Sequence, residues 1–331
     1  MSPSVRALLG AAAVVLPIAA AAQIASAPLE LEAKIPLGAV NGRIDHLAVD
    51  LKRQQLFVAE LGNDSLGVVN LATRKMRSTM FGLKEPQGIA YEPSADTVYV
   101  ANAGDGSVRL LWAEDLTSKG RIDLGADADN VRIDGARNRV LVGYGKGALA
   151  VIDPKSRAKI ADIPLKAHPE GFQIDEGSAR AFINVPDAGQ IVVVDLVKGE
   201  AVRSFPTQGH RGNFPMALDR EAQRLLVVFR NPPRLLVLLA RDGAVLADTE
   251  TCGDADDVFV DTKRHRVYVS CGAGVVDVFE ERAGSYQRTG RTPTVSGART
   301  SLFVPELDRL FVAVRASSGE PAAIWVLRPA P

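Results

Sequence analysis

One short apolar pattern returns seven times along this 331-residue chain: LFVA at residues 56–59, VYVA at 98–101, VLVG at 140–143, AFIN at 181–184, LLVV at 225–228, VYVS at 267–270 and LFVA at 310–313. Successive copies lie 41 to 44 residues apart, which is the length of one four-stranded unit in a radial β array. Such a unit cannot bury both of its faces alone, so each must be covered by its neighbours. Aromatic content is only 5%, so the apolar positions are filled mostly by Val, Leu, Ile and Ala.

The second unit shows the pattern in full. Pro86-Gln87-Gly88 enters a first strand, residues 93–96 turn, residues 97–102 form a second strand and 103–106 turn again. Residues 107–112 and 120–124 supply the third and fourth strands. Alternating side chains with Gly, Asp, Asn and Pro at the bends are what antiparallel hairpins require. The expected fold is all-β: a single seven-bladed β-propeller over residues 23–331, with four antiparallel strands (A to D, inside to outside) per blade.

The last unit lacks a fourth strand, and residues 31–38 resemble the D strands at 120–125 and 159–165. That segment is expected to complete blade 7 and close the ring, removing an exposed sheet edge.

Through Pro86-x-Gly88, Val98-Tyr99-Val100-Ala101-Asn102 and the strand-B echo that recurs in all seven units, the chain resembles the YVTN-type β-propeller repeat proteins. The resemblance implies an exported propeller. Related propellers act as lactonases and lyases, and some members of the group bind nucleic acid.

Residues 1–22 read as an export signal: Arg6 at the start, an apolar run over 7–22, and Ala20-Ala21-Ala22 before Gln23. The apolar run is about 16 residues, short of a comfortable bilayer span. A periplasmic or secreted monomer with no membrane span after cleavage is expected. Lys+Arg and Asp+Glu both number 39, so loss of Arg6 leaves a net charge of −1. A protein held by phosphate neutralisation would show a basic excess, which disfavours nucleic acid as partner.

Equivalent positions of different blades form rings around the channel. Twelve residues before the second letter of each repeat stand Asp45, Gln87, Asp129, Glu170, Phe214, Asp256 and Arg299; one residue later stand His46, Gly88, Asn130, Gly171, Pro215, Asp257 and Thr300. His168 and His210 precede two of these positions. The B–C side of the same face is expected to add Glu60, Asn63, Asn102, Tyr144, Asn184, Arg230, Cys271 and Arg315, while His265 falls on the other face.

Three chemistries suit such a rim. Asp45, His46, Asp129, Glu170 and Asp256 could ligate a divalent ion (Ca, Mg, Mn or Zn), with His46, His168 or Glu170 as acid/base groups. The carboxylates and arginines could instead bind a polar organic ligand or an exported protein partner without turnover. An internal ion-pair network is the third. The favoured reading is binding, through Asp45, Asp256 and Asp257 as acceptors and Arg230, Arg299 and Arg315 as anion partners; a lactonase-type metal hydrolase or lyase is the alternative.

No Gly-x-Ser-x-Gly elbow, helix-opening phosphate loop or Cys-x-x-Cys-His haem site occurs. Gly143-Tyr144-Gly145-Lys146-Gly147 falls at a B–C hairpin and reads as a tight turn. Cys252 and Cys271 belong to one blade and, in an exported protein, are a disulfide candidate.

Overall fold

The computed structural model describes residues 27–331; the export-signal reading lies outside them. Seven four-stranded antiparallel sheets form a ring. Blade 1 runs from Leu47–Asp50 through Gln55–Glu60 and Ser65–Asn70 to Lys75–Phe81, and blades 2 to 6 repeat the same order. The A strands touch in sequence around the axis, and that of blade 7 meets that of blade 1.

Each repeat copy lies in strand B. This strand is covered on both faces by adjacent blades, so its residues read as an unbroken apolar run rather than an alternation: Gln55–Glu60 and Thr97–Asn102 are buried at every position. Strand D is outermost and mostly exposed, as in Ala158–Pro164, where only Ile163 is buried. The core is accordingly divided into seven clusters, one at each seam between blades. Phe57, Leu66, Val98 and Leu111 fill the seam of blades 1 and 2, and Tyr99, Leu110, Val140 and Val142 that of blades 2 and 3.

Blade 7 takes Ser301–Val304, Arg309–Val314 and Ala323–Pro329 from the C-terminal end and Leu29–Pro36 from the N-terminal end. Leu29 pairs with Pro329 and Pro36 with Ala323. This closing strand lies two residues earlier at both ends than the expected 31–38, and its pairing carries a bulge between Leu31 and Ala33. Ile35 and Leu37 then pack with Leu56, Phe311 and Ile324 in the seam of blades 7 and 1.

The pairing of strands A and B is irregular at the channel mouth, where the register slips at Pro86/Ile89, Ala128/Val131, Asn213/Met216 and Ala255/Asp257. Bulges of this kind re-aim side chains and end regular pairing. The residues released are those of the two rings: Gln87 and Gly88, Asp129 and Asn130, Phe214 and Pro215, and Asp256. Among the described residues no helix is long and apolar enough to cross a membrane.

Candidate functional site

A cavity of about 250 Å³ opens at one end of the central channel, lined by Arg43, His46, Gln87, Asp127, Asp129, His168, Glu170, Phe214, Arg230, Asp256 and Arg299. Larger clefts lie elsewhere on the surface, such as one of about 480 Å³ where Arg53 pairs with Asp50 and Asp96 beside Tyr91. The channel mouth instead gathers charged side chains from six blades.

Its two sides differ. On one, Asp256 is clamped by Arg230 (Nη2 to Oδ1, 2.6 Å) and Arg299 (Nε to Oδ2, 2.9 Å). Arg299 also donates from Nη1 to both oxygens of Asp254, at 2.9 and 3.0 Å, and the Arg230 guanidinium lies 4.0 Å from the centre of the Phe214 ring. Arg43 completes this side, 2.7 Å from Asp45 and 3.8 Å from Asp256. On the other side stand Asp127, Asp129, His168 and Glu170. His168 Nδ1 lies 2.6 Å from the Gly145 carbonyl and its Nε2 3.8 Å from Asp129. The Gly-rich segment at 143–147 is therefore a tight turn, as its sequence implies, and its carbonyl orients an imidazole.

Crowding of like charges in a buried place sets the protonation states. Burial pushes Glu170 up to about 8, reinforced by Asp129 and Asp256 and opposed by His168 and His46. Burial opposes a charge on His46, yet Asp257, Asp45 and Asp129 outweigh it and hold the imidazolium up to about 10. His168 stands at about 9 by the same balance, through Asp129, the Gly145 carbonyl, Asp127 and Glu170. Burial also raises Asp45, Asp256 and Asp257, against their basic neighbours. The mouth thus combines guanidiniums and two imidazoles held toward their charged form with the carboxyl groups of Asp127, Asp129 and Asp256 and with Glu170, which is pushed toward its neutral form.

Several buried oxygens in this group have no hydrogen-bond partner: Asp45 Oδ1 and Oδ2, Asp129 Oδ1, Asn130 Oδ1 and Asp256 Oδ2. Asp45 Oδ2 and Asp256 Oδ2 do lie at ion-pairing distance from Arg43 and Arg299, so the attraction there is one of charge without good hydrogen-bond direction. Asp129 Oδ1 and Asn130 Oδ1 have neither. A buried polar atom left unpaired is unfavourable unless something else completes it.

The A-strand ring is placed as the repeat alignment implies. Asp45, His46, Asp129, Glu170, Asp256, Asp257 and Arg299 gather at one end of the channel, Asp257 accepting the Ser301 amide at 2.7 Å. Asn130 is buried beside Gly88. The strand-B ring does not gather there, Arg230 excepted, because the end of strand B bonds into its own blade or the next. Glu60 accepts from Ser65 Oγ at 2.6 Å and lies against Gly67. Asn102 bonds the carbonyls of Val100 and Ser107. Asn184 bonds the Phe214 and Pro215 carbonyls of blade 5. Tyr144 donates to Asp162, Asn63 bonds the backbone of Asn41, and Arg315 lies exposed over Gly297. His210 is held by Asp248 at 3.0 Å rather than by the mouth.

The five metal candidates are divided by the geometry, with Asp129 and Glu170 falling in one convergent group. Asp256 and Asp45 are tied to arginines and His46 lies between Asp45 and Asp257. Among the described residues, the group whose ligand atoms converge, all within 4.8 Å of one another, is Asp129, His168 and Glu170. Cys252 and Cys271 are joined as a disulfide with Cα atoms 5.9 Å apart. It anchors the segment carrying Asp254 and Asp256.

Sequence reasoning missed Arg43 and Asp127, and Arg132 deeper in the channel, whose pKa burial lowers against the charges of Asp257 and Asp129. A signal existed for two of them. Arg43, Asp127, His168 and Asp254 all stand two residues before a ring position, and in extended chain such residues share a side.

No family model matches the chain, and no curated protein matches its sequence. Solved structures do match in shape. Hydrazine synthase of Kuenenia stuttgartiensis superposes with a TM-score of 0.77 at 16% identity, over 92% of this chain and 97% of that one. A chain of the mitotic checkpoint complex superposes with a TM-score of 0.78 at 12% identity, over 99% of each. At such identities the likeness extends to architecture alone, and what it establishes is that the chain is a seven-bladed β-propeller.

Proposed function

We propose that the protein is an exported binding propeller of the YVTN-type group, and that it holds a small anionic polar molecule in the channel mouth. The observation that carries this reading is the convergence of Arg43, Arg230 and Arg299 on one polar cavity, with Arg43 Nε buried and unpartnered. Guanidiniums present planar donor forks suited to carboxylate and phosphate. A cavity of about 250 Å³ lies just below the usual range for ligand pockets, roughly 300–1,000 Å³, so the guest is a compact molecule rather than a polymer. Phe214 stacked under Arg230 fixes the fork at low entropic penalty. No turnover is required.

The test is calorimetric titration of the mature protein with citrate, succinate, glutamate and inorganic phosphate. At least one should bind with 1:1 stoichiometry, and Arg230→Lys and Arg299→Lys, which keep the charge but lose the fork, should each weaken it by about tenfold. Absence of binding by all four, or affinities untouched by both substitutions, would overturn the assignment.

A further inference from the structure

We infer that Asp129, His168 and Glu170 form a three-ligand site for one divalent transition-metal ion on the side of the mouth opposite the arginines. This rests on the mouth being the working site, but not on which anion it takes.

Three independent observations point to it. The ligand atoms of the three residues lie within 4.8 Å of one another, and donors bonded to a common ion at about 2.1 Å stand roughly 3–3.5 Å apart, so small side-chain movements bring them in. Next, His168 has its Nδ1 2.6 Å from the Gly145 carbonyl. With Nδ1–H donated to that carbonyl, an incoming ion displaces the Nε2 proton and takes up the Nε2 lone pair, and Nε2 is the atom that faces Asp129 Oδ2 at 3.8 Å. A metal-binding imidazole is nearly always oriented in this way by an outer partner on its second nitrogen. Finally, Asp129 is more than nine-tenths buried and its Oδ1 has no partner. An ion would supply the missing interaction.

The backbone holds these ligands firmly. Asp129 is set by the bulge between Ala128 and Val131 and by Gly88, whose missing Cβ leaves room for the Asp129 carbonyl. Glu170 is fixed by the hydrogen bond its backbone N–H donates to the Asn184 carbonyl at 2.9 Å. One imidazole and two carboxylates favour Zn, Mn, Fe or Co in the divalent state over Ca, which takes six to eight oxygens, and over Mg, which keeps most of its waters. Three protein ligands leave coordination positions open toward the cavity, where an anion held by Arg230 and Arg299 could also reach the ion.

Chelator-stripped full-length protein titrated with Co(II) should take up one equivalent, with visible d–d absorption, and Zn(II) should compete for it. Asp129→Asn, His168→Ala and Glu170→Gln should each weaken uptake by at least about tenfold, while His210→Ala, outside the mouth, should leave it unchanged. Glu170→Gln is nearly isosteric and guards against a folding artefact, checked by circular dichroism. Failure to bind Co(II) and Zn(II) stoichiometrically, or uptake that survives Glu170→Gln and His168→Ala, would overturn the site. Uptake with no anion binding would instead remove the anion reading and leave this one standing.

Discussion

Removing the closing strand should open the ring. A chain beginning at Asn41 lacks Leu29–Pro36 and with it Leu29, Ile35, Leu37 and Val40, each no more than 6% exposed. Burying one such side chain contributes about 1.5–3 kcal/mol, so the four together contribute on the order of 6–12 kcal/mol, comparable with the whole stability of a typical domain, about 5–15 kcal/mol. The loss also bares the edge of Ala323–Pro329, a template for association between chains, and breaks the ion pairs of Glu30 with Arg328 and of Glu32 with Arg74 and Arg309. A graded version keeps the strand: Ile35→Ala should destabilise by about 2–5 kcal/mol, lowering the midpoint by about 1.5 °C per kcal/mol. Thermal unfolding and gel filtration of the full chain, Ile35→Ala and the Asn41-start chain provide the readout. If the shortened chain stays monomeric and melts within about 2 °C of the full chain, the closure argument is wrong.

The mouth gives two further expected outcomes. His46, held at about 10, takes up a proton on folding, so its stabilising contribution is complete below its ordinary pKa near 6.5 and is lost as pH rises from there through about 10; the stability difference between the native chain and His46→Gln should shrink over that window, and an NMR titration of His46 near 6.5 would contradict this. Gly88→Ala would place a Cβ 2.2 Å from the Asp129 carbonyl oxygen, forcing a backbone shift that should lower stability by about 1–3 kcal/mol or more and displace Asp129, whereas Gly319→Ala, with open space around it, should melt like the native chain.

The repeat alone was enough for blade number, strand order and closure, because a strand covered on both faces must be continuously apolar and its period counts the blades. It also placed Asp45, Asp129, Glu170, Asp256 and Arg299 at one end of the channel, since equivalent positions of a ring share a face. It could not decide which of them stay available. That depends on neighbours from other blades: Arg43 at the entry to blade 1 and Arg299 at the entry to blade 7 both reach Asp256 of blade 6, the Gly145 carbonyl turns His168 toward Asp129, and the A-strand bulges release Asp129 and Asp256 from regular pairing. Nor could repeat position alone separate Arg230, whose fork reaches the channel, from Glu60, Asn102 and Asn184, which lie at the same end of strand B but spend their hydrogen bonds within or between blades. Periodicity is a one-dimensional property and survives in the chain. Charge pairing is three-dimensional, and only the closed ring brings the partners within a few ångströms.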